Sequence, residues 1–193
     1  MPRLFSAIAL PDVVRQRLGL IRAPFAGARW IAPEDMHLTL RFFGDIDGRM
    51  ADEVADFLGG VHAAPFEIEV ADLGTFGGKD PHTLWAGVKP CAALDILQYA
   101  HERAARAAGL PPETRNFRPH VTLARLRGVR ERDVATFLQH NGGFRTEPFL
   151  VTQFVLYSAR PGTGGPPYAI EADYPFDGTS LFDDDSDDHL EAR

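Results

Sequence analysis

Two histidines stand two residues ahead of a threonine in stretches that read as β-strands: His37-Leu38-Thr39-Leu40 and His120-Val121-Thr122-Leu123. Side chains alternate across a strand, so His37 and Thr39 share one face while Leu38 and Leu40 share the other. The same holds for His120 and Thr122 against Val121 and Leu123. Each strand thus offers an apolar face to a core and a face carrying an imidazole and a hydroxyl. An imidazole with an ordinary pKa of about 6.5 serves as acid or base near neutral pH. Two of them on opposite sides of a cyclic phosphate suit phosphoryl transfer to water, one taking the water proton and the other protonating the leaving ribose oxygen. Threonine hydroxyls suit the nonbridging oxygens, where charge develops. The spacing alone allows either histidine in either role. No metal or cofactor enters this scheme.

The elements that must position these residues recur in the same order in both halves. In the first half, a strand over 4–10 leads to a helix from Pro11-Asp12 with Val13, Val14, Leu18 and Ile21 on its apolar face, then a loop over 24–33. The strand 37–43 follows, then a helix over 50–58 and a half-buried strand over 66–73. After a loop over 74–81, the second half has a strand at 83–88 and a helix at 94–108 stopped by Gly109 and Pro111-Pro112. The strand 120–126, a helix over 134–140 and a strand over 149–157 come next. A Gly/Pro loop over 161–167 and an edge strand over 168–174 close it. A motif strand flanked by helices in both halves indicates an internal duplication.

The chain has 193 residues, 45% hydrophobic and 24% charged, which suits one soluble domain with a substantial core. No apolar run is long enough to cross a bilayer, and the opening MPRLFSAIALP reads as a first core strand rather than a secretion signal. One cysteine, Cys91, excludes an internal disulfide and any CxxC metal signature, and a cytoplasmic location is expected. The net charge of -7 is uneven: residues 179–193 hold five Asp, one Glu and one Arg, leaving the rest at -2. Residues 1–178 are read as the domain and 179–193 as an acidic, disordered tail. A near-neutral body argues against broad nonspecific duplex binding, while leaving room for a small basic cleft. A monomer is expected.

The blocks around both motifs resemble the two-histidine phosphoesterases, and within them the RNA 2′,3′-cyclic phosphodiesterases also called 2′-5′ RNA ligases. Arg3-Leu4-Phe5 with Ala7 to Pro11 looks like the opening strand of that family. The stretch from Trp30 and Pro33 through His37 to Gly44 looks like its first motif block, and Phe117 to Arg125 like its second. Leu156-Tyr157-Ser158 with Tyr168 looks like its closing segment. The resemblance implies an α+β fold, bilobal with pseudo-twofold symmetry, in which two antiparallel sheets face a central cleft with helices outside. It implies His37 as proton donor to the leaving 3′ oxygen, His120 as acceptor from water, and a 2′-phosphate product. The implied partner is RNA with a 2′,3′-cyclic phosphate end, or a small cyclic nucleotide. Arg41 and Phe43 depart from the small or aliphatic residues common there, as does the acidic tail. Two alternatives remain: 2′-5′ ligation by reversal, and a non-catalytic module that binds RNA ends.

Thr39, Thr122 and Arg125 are the expected substrate-binding residues. Arg125 matches an arginine that closes the second motif block, yet strict alternation turns it away from His120 unless the strand bulges. Arg41 and Arg118 share the histidine faces by alternation and read as solvated charges. Trp30, Phe42 and Tyr157 could stack a base but read as core. His62, His82, His101, His140 and His189 lack a repeated context and read as surface or capping residues. No HExxH or CxxC motif marks a metal site, and Gly77-Gly78-Lys79-Asp80 lacks the spacing of a phosphate loop.

Overall fold

The repeat in the sequence returns as a repeat in burial. Strands β3 (His37–Asp45) and β7 (His120–Leu126) begin with the same seven-residue order: half-buried, buried, half-buried, buried, buried, exposed, buried. Two buried residues in succession break alternation and mark a bulge. Strand β1 (Arg3–Ala9) steps from Ala7, opposite Thr39, to Ser6, opposite Arg41, so Leu40 is the extra residue. Strand β6 (Thr83–Val88) steps from Trp85, opposite Thr122, to Leu84, opposite Ala124, so Leu123 is extra. One inserted residue reverses the facing of the residues that follow it, in β3 as far as a second shift at Phe43.

The computed structural model describes residues 3–160 and 166–178. Helix α1 (Asp12–Leu20) and strand β2 (Ala28–Trp30) precede β3; helix α2 (Gly48–Gly59), β4 (Phe66–Ile68) and β5 (Val70–Phe76) follow it. Then come β6, helix α3 (Ala92–Ala107), β7, helix α4 (Glu131–His140), β8 (Phe149–Val151), β9 (Gln153–Ala159) and β10 (Tyr168–Pro175). The strand order β10-β9-β1-β3-β7-β6-β5 is antiparallel throughout, β2 adds to β7, and β4 pairs with β8 separately. Halves of the path match about its middle: β3 with β7, β1 with β6, β9 with β5. Where two antiparallel sheets facing a cleft are expected, the strands of both halves run on into one eight-stranded sheet beside a two-stranded one. The sheets of the two halves join edge to edge at one register pair, Leu38 with Val121, and both strands bulge just beyond it. Leu38 and Val121 are fully buried, and each such side chain contributes about 1.5–3 kcal/mol to folding.

Helix α3 shows why these segments are helical: Leu94, Leu97, His101, Ala104 and Ala105 form one buried stripe at helical spacing. It packs on β3 and on α2. Helix α4 sets Phe137 against Trp30 of β2 and Phe25. Beyond α4, Arg17 of α1 donates from Nε to the Arg145 carbonyl and lies over the Phe144 ring. The expected strand 66–73 divides at Glu69 into β4 and β5, and the latter runs into the expected loop to Phe76. Similarly, 149–157 divides into β8 and β9. The short β2 lies inside what reads as a loop. The expected acidic tail, His189 and most of the expected 161–167 loop lie outside the described residues. Among the described residues no helix is long and apolar enough to cross a membrane.

Candidate active site

Both histidines begin their strands and are held in the same way. His37 Nδ1 lies 2.8 Å from the Asp35 carbonyl oxygen, and His120 Nδ1 lies 2.6 Å from that of Arg118. A carbonyl only accepts, so Nδ1 carries the hydrogen in both rings. Nε2 is then the nitrogen left to accept or deliver a proton. The carbonyl acceptor is two residues upstream in each case, and the two strands meet at the pair immediately following the histidines, Leu38 with Val121.

The surroundings of the two rings differ. His37 is enclosed by Phe5 at 4.9 Å, Tyr168 at 5.0 Å and Tyr157 at 5.9 Å between ring centroids. Burial pushes its pKa down to about 4, with smaller contributions from the charges of His120 and Arg125 and an opposing one from the Asp35 carbonyl. His120 meets Phe76 edge-on at 4.9 Å and Trp85 at 6.5 Å. Its pKa is also lowered, first by burial and then by Arg125, against the Arg118 carbonyl. Both shifts favour the neutral imidazole near pH 7.

Thr39 and Thr122 are half-buried on the histidine faces, and no side-chain hydrogen bond engages either hydroxyl among the described residues. Arg125 lies beyond the β7 bulge, which returns it to the face of His120. There it is exposed, donates to Thr83 Oγ1 at 3.0 Å, and acts on both histidines through its charge. The bulge in β3 has the opposite consequence for Arg41. That residue is not a solvated charge on the histidine face: it is 8% exposed and turned into the protein. Its Nε donates to Glu102 Oε2 at 2.6 Å, and its other nitrogens donate to the Pro111 and Phe42 carbonyls.

A family described as LigT like Phosphoesterase matches this chain over residues 8–85 and 88–168, one block per half. The chain belongs to that family. An RNA 2′,3′-cyclic phosphodiesterase of Aquifex aeolicus is 31% identical over 76% of this chain and 80% of that protein. One from Thermotoga maritima is 29% identical over 91% and 96%. One from Aeropyrum pernix is 37% identical over 52% of this chain, and the match spans 58% of that relative's length. With a relative from Geobacillus stearothermophilus the match spans 41% of its length. Among solved structures, E. coli LigT in complex with 3′-AMP superimposes with a TM-score of 0.74 at 25% identity, covering 92% of this chain and 99% of that one. TT0787 of Thermus thermophilus shares the fold at a TM-score of 0.75 and 23% identity, covering 91% and 98%.

Of the three aromatics read as core, Trp30 is so placed and the other two are not. Trp30 is core: its Nε1 donates to the Ala23 carbonyl, and its ring packs on Phe25 and Phe137. Phe42 and Tyr157 belong to the histidine side, with Phe42 45% exposed against Phe5 and Tyr157 on His37. Phe5, Phe76, Trp85 and Tyr168 are the site residues that the sequence reading missed. Register on β6 would have exposed Trp85, since it pairs with Thr122. Its indole lies over Gly74, where an added Cβ would run into the ring. His101 is fully buried, not a surface residue, with Nδ1 2.8 Å from Ser6 Oγ. His62 pairs with Asp177, and His82 contacts Thr83. Among the described residues no group of three or more His, Cys, Asp or Glu side chains is placed to hold a metal ion.

Proposed function

We propose that this phosphoesterase hydrolyses 2′,3′-cyclic phosphodiesters at RNA ends, or on small nucleotides, to 2′-phosphates without a metal. The observation that carries this reading is the matched pair of imidazoles, each locked through Nδ1 to a backbone carbonyl and each leaving Nε2 for proton transfer. The relatives of 29–37% identity that bear the name RNA 2′,3′-cyclic phosphodiesterase support the substrate class. The two lobes of the domain face a central cleft.

In the reaction, His120 Nε2 takes a proton from water as the oxygen attacks phosphorus. The P–O3′ bond breaks, and His37 gives its Nε2 proton to O3′. The products are a 3′-hydroxyl and a 2′-phosphate, and proton exchange with solvent resets the pair. Enclosure among Phe5, Tyr157 and Tyr168 supports the donor role of His37. A cation disfavoured by burial surrenders its proton readily, and the anionic phosphate supplies the charge that holds the proton until transfer. Thr39 and Thr122 donate hydrogen bonds to the nonbridging oxygens, and Arg125 opposes their charge.

The test is turnover of adenosine 2′,3′-cyclic phosphate in the presence of EDTA, with the product assigned by phosphorus NMR. Sustained formation of adenosine 2′-phosphate supports the reading. Loss of activity in chelator with recovery on one divalent metal, or formation of the 3′-phosphate, overturns it.

A further inference from the structure

The two imidazoles are held alike, but the carbonyls that hold them are fixed by different means. Asp35 belongs to a single 3₁₀ turn, Pro33–Asp35, with its own backbone bonds: Asp35 N–H donates to the Ala32 carbonyl at 2.9 Å, and Met36 N–H to that of Pro33 at 3.2 Å. That turn packs on α1. Arg118, whose carbonyl accepts from His120 Nδ1, is exposed and lies in no helix or strand. Which ring nitrogen of a histidine carries the hydrogen is set by the partner of the other, so the placing of that carbonyl matters to the chemistry.

Side chains tie down the segment that delivers Arg118. Residues 111–119 cross from α3 to β7 without regular structure. The bulge in β3 turns Arg41 inward, where it binds Glu102 and also donates to the Pro111 carbonyl at 2.8 Å. Glu102 uses its other oxygen to accept from the Glu113 N–H at 3.1 Å. The pair therefore grips the start of the segment by one acceptor and one donor. Glu113 extends the chain of contacts: its Oε1 accepts from the Thr114 and Arg115 backbone N–H groups, each at 3.0 Å, and closes a turn. Phe117 then packs against the core immediately before Arg118.

A buried ion pair adds little net stability over apolar side chains of similar size, so stability alone does not account for Arg41 and Glu102. Their places in the fold do. Arg41 follows His37 and Thr39 on β3, in the first half, while Glu102 lies on α3 in the second. The pair links the strand of one histidine to the segment that orients the other.

We propose that Arg41 and Glu102 are positioning residues, which through Pro111 and Glu113 set the segment carrying the Arg118 carbonyl and so keep His120 in its Nδ1–H form with Nε2 aligned toward His37. The catalytic consequence rests on the function proposed above; the orientation of the ring does not.

The test uses the full chain in two variants. Arg41→Met with Glu102→Leu removes both charges together, and Glu113→Ala leaves the buried pair in place and loosens only the turn. One readout is kcat and KM on adenosine 2′,3′-cyclic phosphate. The other is the tautomer of each ring, from long-range proton–nitrogen correlation spectra near pH 8, with His37→Ala and His120→Ala assigning the signals. Both wild-type rings should be in the Nδ1–H form. In the double variant His120 should become a mixture of tautomers, while His37, whose acceptor sits in its own turn, stays unchanged. There kcat should fall between about tenfold and 10²-fold, the scale of misplacing a reacting group from a distance, with KM within about twofold. Glu113→Ala should show both changes to a smaller degree. An unchanged His120 in both variants, or in Glu113→Ala alone where the double variant does not fold, overturns the positioning role. So does a change shared equally by His37 and His120, or a loss confined to KM, since either marks a general loosening. A wild type that leaves the cyclic nucleotide intact overturns the proposed function, while the tautomer comparison still decides the positioning.

Discussion

Glu102→Gln is expected to destabilise the fold far more than loss of a surface ion pair. The Arg41 side chain is 9% exposed and that of Glu102 15%, and their 2.6 Å contact joins β3 to α3. Glu102 Oε1 also accepts from the Glu113 backbone N–H, while Arg41 holds the Pro111 carbonyl at 2.8 Å. The amide leaves a buried guanidinium without its counter-charge, a change that costs about 3–5 kcal/mol. The surviving carbonyl bonds to Arg41 favour the lower end. For a domain of this size, about 3 kcal/mol corresponds to roughly 6–12 °C in Tm. Urea unfolding followed by far-UV circular dichroism at pH 7 measures it. The double variant Arg41→Met with Glu102→Leu removes both charges and should recover much of the loss, because the pair contributes little net stability beyond satisfying itself. A single-variant cost below about 1 kcal/mol, the range of exposed pairs, would show that water reaches the pair and refute the reasoning. So would a double variant as unstable as the two single losses added together.

Other outcomes follow from the same structure. The pH profile of kcat/KM should be a bell with both limbs below the ordinary histidine value of about 6.5, because both free-enzyme pKa values are lowered, that of His37 to about 4. An optimum at or above pH 7 contradicts this. His101 has its pKa lowered to about 3 by complete burial; below pH 6.5 the unfolded chain binds a proton that the folded chain refuses. That contribution to stability should fade as pH drops from 6.5 toward 3, and His101→Leu should flatten this part of the stability curve. An unchanged slope counts against it. Gly74→Ala should push the Trp85 indole off its seat, shifting tryptophan emission and reducing kcat while the melting curve still shows a cooperative fold. Unaltered emission would show that the ring is not seated there.

Much of the site was legible because it depends on local pattern. His37, Thr39, His120 and Thr122 alternate with Leu38, Leu40, Val121 and Leu123, and the structure keeps each on the expected face up to the bulges. The bulges themselves were not legible. Nothing in Thr39-Leu40-Arg41 announces that Leu40 has no cross-strand partner, so Arg41 read as a solvated charge and Arg125 as facing away. Cross-strand neighbours were equally out of reach: Trp85 and Phe76 approach His120 only through the registers of β6 with β7 and with β5. His101 sits at a helical core spacing, but its Ser6 partner is 95 residues away. The duplication was visible in element order. How its halves join was not, because that depends on one pair, Leu38 with Val121.

The claim that two histidines divide the proton transfers is tested most directly by leaving-group rescue. Turnover by the wild type, His37→Ala and His120→Ala is measured on a 2′,3′-cyclic nucleotide and on a nucleoside phosphodiester with a nitrophenolate leaving group. On the cyclic substrate each substitution should cost on the order of 10²–10⁴ in rate. Nitrophenolate departs without a proton, so His37→Ala should recover most of its activity on the aryl ester while His120→Ala remains impaired. Rescue of His120→Ala instead would reverse the two roles, and rescue of neither variant would contradict proton transfer by the pair.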